Sequence, residues 1–378
     1  MVPALVLSGG GARAAYQVGV LSAVNEIISD CRDGLFPIIC GTSAGAINAL
    51  SIATHNGDFC ESIDQLNYLW RNLTVEQVIK THWWDLMSGF GRVVGSLFNQ
   101  GVGKGRPVSL FDNSPLRKLL TDNIQFGNLP SAIESGRLRA ISVTAMAYSS
   151  GESISFFQGA PSIPGWRRYH RLGVPATLTV DHLLASSALP GIFPTVQIGR
   201  EYYGDGAVRQ LSPLSTAMHL GADKIFVVGV SNNRNPAHWG RRGIVRHSPS
   251  LGQMVGHLLN SAFLDSLDSD LEHLEDVNDL LAVMTPEQLQ QTQRLSKIET
   301  LVISPTKPLD KIAGRCIRYL PKPLRLLMKS TGSTAKGGGA TMASYLLFSD
   351  KFCRELIDLG YQDAMWDRES ILRFFNED

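Results

Sequence analysis

The sequence predicts an α/β fold with a central, mostly parallel sheet flanked by helices. The main observation is that apolar, strand-like runs alternate with helical stretches, which is the order that parallel sheets require. The predicted strands cover residues 4–8, 36–40, 138–146, 153–157 and 224–230, and the clearest helices cover 14–29, 43–55 and 180–188. Strands 138–146 and 153–157 are joined by Tyr148-Ser149-Ser150-Gly151, so they should form an antiparallel hairpin and make the sheet mixed.

The first strand runs into three consecutive glycines, Gly9, Gly10 and Gly11, which are followed by Ala12 and Arg13. Such a loop leaves backbone N–H groups unobstructed, and these can stabilise an oxyanion, while Arg13 can hold the loop or attract negative charge. The alternative is a dinucleotide site, because Gly9, Gly11 and Ala14 also fit the Gly-x-Gly-x-x-Ala pattern. That alternative requires an acid at the end of the next strand, where the sequence has a serine instead.

That serine is Ser43, in Gly41-Thr42-Ser43-Ala44-Gly45 between a predicted strand and a predicted helix. Gly41 and Gly45 allow close packing around a sharp turn, so the hydroxyl should project from the end of the strand above a helix N-terminus. This arrangement predicts a nucleophile elbow.

A third motif, Asp205-Gly206-Ala207, follows the short alternating run at 201–203. Asp-Gly is a common turn, so a structural role for Asp205 is the default interpretation. Upstream, residues 185–194 combine a helix end with an apolar turn that contains Pro190 and Gly191, and this segment could wall a lipophilic pocket.

These motifs, in this order over residues 4–230, resemble the patatin-like phospholipases. The resemblance implies a three-layer patatin-like fold and a serine hydrolase that cleaves carboxylic ester bonds of lipids. It also implies a Ser-Asp dyad, in which Ser43 attacks, Asp205 takes the proton, and the amides of Gly9, Gly10 and Gly11 bind the oxyanion. Gly206, like Gly41, Gly45 and Arg13, would support the site. No metal or other cofactor is required.

The resemblance thus favours phospholipids as substrates and leaves the headgroup open. An ordinary carboxylate is a weak base, so Asp205 should lie in a partly desolvated site that raises its pKa, while remaining ionised at mildly acid pH.

A Ser-Asp-His triad is the alternative within the hydrolases. Five histidines follow Asp205 in the chain, namely His219, His238, His247, His257 and His273. None of them lies in a tight turn after a late strand, where such a triad would place its histidine. Their absence from that position favours the dyad.

Composition sets wider limits. With 378 residues, 44% of them hydrophobic, the chain can form a substantial core, and a net charge of +1 gives no indication of nucleic-acid binding. We predict one domain over 1–378, with a catalytic core at 1–230 and a mostly helical extension at 231–378 that completes it. The five cysteines are scattered, lack metal-ligand spacing and suggest free thiols in a reducing compartment.

The sequence shows no signal peptide and no apolar stretch of transmembrane length, which predicts a cytoplasmic protein with, at most, peripheral membrane contact. Two segments are candidates for that contact. Trp83 and Trp84 are bulky aromatic residues close to glycines, a composition typical of a lid or an interfacial anchor. In segment 315–329, basic residues are interspersed with leucines, a pattern that favours an anionic bilayer surface. For each segment, packing against the core is the alternative. We expect a solvated loop at 232–248 and a solvated acidic helix at 265–279.

Two other functions stay open at this point. A soluble esterase or thioesterase of small acyl substrates would show no preference for aggregated lipid. A non-catalytic lipid-binding protein on the same fold would have an inert Ser43. Oligomeric state is not indicated by the sequence.

Overall fold

The computed structural model describes residues 1–28, 34–98, 108–231, 248–291, 296–332 and 340–376. Within these ranges the sheet has ten strands. They are β1 (Pro3–Leu7), β2 (Ile38–Thr42), β3 (Ala140–Ala147), β4 (Ser153–Gly159), β5 (Trp166–Arg168), β6 (Arg171–Pro175), β7 (Val196–Ile198), β8 (Glu201–Asp205), β9 (Lys224–Val228) and β10 (Glu299–Ile303).

The sheet is mixed and mostly parallel at its centre, as predicted. Its order is β10-β9-β1-β2-β3-β4-β6-β5, with β8 pairing to β3 and β7 to β8. The neighbours from β10 to β3 are all parallel, whereas β3 and β4 form the predicted antiparallel hairpin. Strand β8 pairs antiparallel with β3, and this pairing places Asp205, at the end of β8, opposite Ala145 of β3.

Strand β1 shows why the fold has three layers. Leu5 and Leu7 contribute to one apolar core, and Ala4 and Val6 contribute to another on the opposite face. Because successive side chains of a strand point to opposite faces, a strand that is apolar throughout is buried on both sides of the sheet. Helices therefore cover both faces.

The helices are α1 (Ala15–Ile28), α2 (Ala44–Ala53), α3 (Phe59–Arg71), α4 (Trp83–Phe98), α5 (Ser114–Asn123), α6 (Leu129–Glu134), α7 (Val180–Ser186), α8 (Pro213–His219), α9 (Leu251–Asn260), α10 (Ser266–Ala282), α11 (Pro286–Gln291), α12 (Leu309–Cys316), α13 (Lys322–Ser330), α14 (Ala340–Leu346), α15 (Asp350–Trp366) and α16 (Arg368–Asn376). A π-helical turn, Ser261–Asp265, connects α9 to α10.

The C-terminal part of the chain packs directly onto the N-terminal helix. A Cβ on Gly19 of α1 would collide with the carbonyl of Ile357, and one on Gly360 of α15 would collide with the carbonyl of Tyr16. The two helices therefore approach each other backbone to backbone at two glycines. Strand β10 also extends the sheet beyond β9. The division into a core at 1–230 and an extension at 231–378 stays a prediction.

The expectation that all thiols are free is wrong for Cys60, which is disulfide-bonded. Cys40, Cys316 and Cys353 are free and buried, and Cys31 lies outside the described residues. Spacing along the chain did not reveal the disulfide, because pairing depends on the distance between two cysteines in the folded protein.

The two candidate membrane segments differ in exposure. Trp83 and Trp84 begin α4 with 49% and 82% of their surface exposed, so they do not pack into the core. In α13, Leu324 and Met328 form a buried stripe, whereas Leu326 is 55% exposed. Segment 232–247 lies outside the described residues. No helix in the described ranges is both long and apolar enough to span a bilayer.

Candidate active site

Ser43 occupies a sharp turn between β2 and α2. Its backbone has φ 55° and ψ −127°, a conformation that is strained for a residue with a side chain. A Cβ on Gly41 would collide with the Cα of Ala46, and one on Gly45 would collide with the carbonyl of Leu7. The two glycines are therefore needed for the strand and the helix to pack closely enough to form this turn.

The serine hydroxyl contacts the carboxylate of Asp205. Ser43 Oγ donates a hydrogen bond of 2.7 Å to Asp205 Oδ2, and the backbone N–H of Ala207 donates one of 3.0 Å to Oδ1. Asp205 ends β8, and a Cβ on Gly206 would collide with the carbonyl of Thr144 in β3. The close packing of the Asp-Gly turn on β3 thus places the carboxylate next to the serine, although the two residues are 162 positions apart.

Burial dominates the electrostatics of this pair. Asp205 is 1% exposed, and desolvation raises its pKa to about 7, although the hydrogen bonds from Ser43 and Ala207 lower it. The expectation that Asp205 stays ionised at mildly acid pH is therefore wrong. Half of the carboxylate is protonated near neutral pH, because complete burial penalises the charged form more than two hydrogen bonds favour it.

If Asp205 is the base, kcat/KM should depend on its ionisation. We expect kcat/KM to fall about tenfold for each pH unit below a midpoint near 7, since the protonated carboxyl cannot accept the serine proton. The measurement is hydrolysis of a short-chain nitrophenyl ester between pH 5 and 9. Samples returned from pH 5 to pH 8 control for irreversible inactivation. A midpoint near pH 4 would contradict the conclusion that burial raises the pKa of Asp205.

A second serine, which was not predicted from the sequence, fixes the elbow. Ser186, fully buried at the end of α7, accepts a 2.8 Å hydrogen bond from the backbone N–H of Ser43 and donates one of 2.6 Å to the carbonyl of Thr144. It therefore ties the strained turn to β3. The residue lies in segment 185–194, for which the sequence predicts only a pocket wall.

Replacing Ser186 by alanine should loosen the turn. We expect kcat to fall roughly 10- to 100-fold and stability to fall by about 1–2 kcal/mol, because the buried N–H of Ser43 loses its acceptor. Ester hydrolysis and thermal unfolding measure the two effects. Ser62→Ala is the matched control, because this buried serine donates only to a carbonyl of its own helix. Equal behaviour of the two variants would rule out a positioning role for Ser186.

The glycine loop passes beside the serine. A Cβ on Gly9 would lie 3.2 Å from Ser43 Cβ and 2.6 Å from the ring of Phe263, and one on Gly10 would lie 2.6 Å from Val230. Gly11 has φ 55° and faces the carbonyl of Tyr345. Within the described ranges, the N–H groups of Gly9 and Gly10 donate no hydrogen bond to the protein. They are thus available to a bound oxygen.

Arg13 links this loop to the C-terminal helices. Its side chain is buried, with Nε donating to Ser344 Oγ at 2.8 Å and Nη1 to Tyr345 Oη at 3.2 Å and Asn260 Oδ1 at 3.4 Å. The guanidinium also stacks on the Tyr345 ring, 4.0 Å from its centroid. Arg13 was expected either to hold the loop or to attract negative charge, and these contacts favour the first role.

An apolar cavity of about 430 Å³, including its solvent-filled mouth, opens over the Ser43–Asp205 pair. Its walls include Leu189, Phe193, Phe263, Leu346 and Phe348. Such walls exclude water from the hydroxyl and favour an aliphatic ligand. Among the described residues, no group of three His, Cys, Asp or Glu side chains could hold a metal ion.

The described histidines do not complete a triad. His219 stacks on Trp166 at 4.9 Å and bonds through Nδ1 to Ser215 of its own helix. His257 and His273 lie on α9 and α10. None of these three bonds to Ser43 or Asp205, and His238 and His247 lie outside the described residues.

Comparison with known proteins identifies similar chains. The family model described as Patatin-like phospholipase matches residues 5–218. A "cGAMP-activated phospholipase" of Pseudomonas aeruginosa is 28% identical over 218 residues, which are 57% of this chain and 55% of that protein. "Calcium-independent phospholipase A2-gamma" of Mus musculus is 24% identical over 217 residues, 57% of this chain and 25% of that protein.

Two solved structures are also similar. Human GIVD cytosolic phospholipase A2 has a TM-score of 0.46 and 12% identity, with 99% of this chain and 60% of that chain covered. VipD from Legionella pneumophila has a TM-score of 0.36 and 13% identity, with 98% and 67% covered.

Proposed function

Because the chain belongs to the patatin-like phospholipase family, we propose that it is a serine acyl hydrolase that cleaves carboxylic ester bonds of phospholipids or related lipids. The observation that carries the proposal is the 2.7 Å hydrogen bond between Ser43 Oγ and Asp205 Oδ2 beneath an apolar cavity. The names of the relatives, both phospholipases, support lipid esters as the substrate class.

In the first half of the reaction, Ser43 Oγ attacks the ester carbonyl while its proton passes to Asp205 Oδ2. The carbonyl oxygen becomes an oxyanion, which the N–H groups of Gly9, Gly10 and Gly11 stabilise. When the tetrahedral intermediate collapses, Asp205 returns the proton to the leaving alcohol. Ser43 is left as an acyl ester.

In the second half, water attacks the acyl-enzyme and gives a proton to Asp205. Collapse of the second intermediate releases the fatty acid, and the proton returns to Ser43 Oγ. The carboxylate therefore serves as base and then acid in each half. A pKa near 7 suits both tasks, because proton transfer in either direction is then accessible at neutral pH.

The direct test is release of fatty acid from phospholipid vesicles, with a short-chain nitrophenyl ester assayed in parallel and fluorophosphonate used to label Ser43. Activity on vesicles and labelling at Ser43 would support the proposal. Activity on the short ester alone would favour a soluble esterase or thioesterase, and an unlabelled Ser43 would favour a non-catalytic lipid-binding protein.

We further propose that Trp83 and Trp84 contact the lipid surface, with the basic segment 315–329 as a weaker contributor. Both tryptophans are exposed, and indole side chains favour the membrane interface. In the basic segment, Arg315 is paired with Glu355 at 3.0 Å, which reduces the charge available to anionic lipids.

The double change Trp83→Ala, Trp84→Ala should lower hydrolysis of vesicles roughly three- to tenfold, because part of the apolar surface that can enter the bilayer is lost. Hydrolysis of the soluble short ester should change less than twofold. Trp366→Ala is the matched control, because this tryptophan is 90% exposed at the end of α15. Equal losses on both substrates would argue against lipid contact.

A further inference from the structure

A second apolar cavity lies beside the cavity over Ser43. It is enclosed by α2, α3, α5 and the 3-10 turn Val75–Gln77, and its volume is about 850 Å³ including the solvent at its opening. Its inner wall is aliphatic, with Leu66, Leu73, Leu120 and Ile124 all buried.

The two cavities share part of their walls. Ile47, Val78 and Leu116 line both of them. Ile47 follows Ser43 by four residues, and Ser51, which lines only the second cavity, follows Ile47 by four more. Residues spaced by four lie on the same face of a helix, so this face of α2 runs from the nucleophile into the second cavity. Eight residues of helix rise about 12 Å.

In the described part of the chain, the inner wall of the second cavity offers no charged side chain that could bind a polar ligand. None of the described residues that line it is charged. The indole N–H of Trp70 is already bonded to Asn48 Oδ1 at 2.8 Å, so the ring offers only apolar surface. The polar lining side chains include Asn72 and Asn123, whereas Tyr68 is 71% exposed and marks the solvent side.

Resting on the function proposed above, we propose that this second cavity binds the distal part of the acyl chain whose carbonyl Ser43 attacks, and that Ile47, Val78 and Leu116 form the neck through which the chain passes. Asp205 lines only the cavity over Ser43. Because Asp205 must reach the leaving alcohol, the headgroup side of the ester stays in that cavity. The acyl chain is the part of the substrate that is free to extend along α2.

The cavity predicts a preference for long acyl chains. Each methylene that moves from water into the apolar cavity can raise kcat/KM by up to about fourfold if its burial is kept in the transition state. A butyryl chain is too short to span the neck, whereas a palmitoyl chain enters the second cavity. The wild-type protein should therefore hydrolyse the palmitate ester at least about tenfold more efficiently than the butyrate ester.

The experiment compares kcat/KM for p-nitrophenyl butyrate, laurate and palmitate in one detergent. Leu116→Trp narrows the neck and should lower the palmitate-to-butyrate ratio at least about tenfold. Ser51→Phe fills the second cavity beyond the neck and should lower the palmitate-to-laurate ratio. Lys118→Trp is the matched control, because its side chain points to solvent from the same helix as Leu116, and it should keep the wild-type ratios.

The results separate this inference from the function on which it rests. Ratios within about twofold of wild type in folded Leu116→Trp and Ser51→Phe would overturn the acyl-chain assignment while leaving the hydrolase intact. If Leu116→Trp unfolds, Ser51→Phe decides alone. Wild-type protein that neither hydrolyses butyrate nor reacts with fluorophosphonate would overturn the hydrolase, and the acyl-chain assignment with it.

Discussion

Replacing Ser43 by alanine is expected to lower the release of fatty acid from phospholipid vesicles by a factor on the order of 10⁴ or more. The hydroxyl of Ser43 donates its hydrogen bond to Asp205 Oδ2. Removing this hydroxyl leaves the carboxylate without a nucleophile to activate. The backbone at Ser43 has φ 55° with either side chain, and alanine adds no bulk, so the fold should be retained.

The measurement pairs vesicle hydrolysis with fluorophosphonate labelling followed by peptide mass spectrometry. Label should appear on Ser43 in the wild type and disappear in the variant. Ser22→Ala serves as the control, because Ser22 Oγ donates to a carbonyl of its own helix, away from the cavity over Ser43. Hydrolysis by Ser43→Ala within tenfold of wild type would mean that another group is the nucleophile.

The central fold was predictable because its signals are local. The alternation of apolar strands with helices predicted β1 to β4, α1 and α2, and it predicted β9 and α7 with errors of a few residues, since β9 ends at Val228 and α7 at Ser186. Helices α3 to α6, which lie between β2 and β3, were not predicted. Strand and helix ends depend on hydrogen bonds that the pattern of apolar residues does not specify. Strands β5 and β6 escaped prediction since both are short and only partly buried.

The site was predictable to the extent that motifs reveal it. The structure brings the residues of the elbow, the glycine loop and the Asp-Gly turn together, with Ser43 bonded to Asp205 and Gly9 beside Ser43, and their catalytic roles stay a prediction. The contact between Ser186 and Ser43 was not predictable, because 143 residues separate them and serine is common in helix ends. The contact between Phe263 and Gly9 was not predictable either, because it depends on the path of helices that lie far along the chain from Gly9.

The value of the Asp205 pKa could not be predicted from sequence either. A raised value was expected, but its size depends on complete burial, which the tertiary structure determines. This burial has a consequence for stability as well as for catalysis. The folded-state pKa of about 7 exceeds the ordinary value of 3.8, so the unfolded chain gives up this proton more readily.

Asp205→Asn should therefore lose activity and gain stability. We expect kcat to fall on the order of 10³- to 10⁴-fold, because the amide can keep the bond from Ala207 but cannot take the proton of Ser43. The double variant Ser43→Ala, Asp205→Asn should be no less active than Ser43→Ala alone. Two residues that act as one catalytic unit lose their function together, so the second change removes nothing further.

The stability gain should depend on pH in a defined direction. Burying the ionised carboxylate costs up to about 4 kcal/mol above pH 7, and Asp205→Asn removes this cost. The gain should shrink as pH falls from 7 and vanish below about 4, where the carboxyl is protonated in both the folded and the unfolded chain. Urea unfolding at pH 4, 6 and 8 measures it, with Asp122→Asn on the surface of α5 as the control. An activity loss accompanied by lower stability at pH 8 would indicate that Asp205 holds the fold together rather than serving as a strained, buried base.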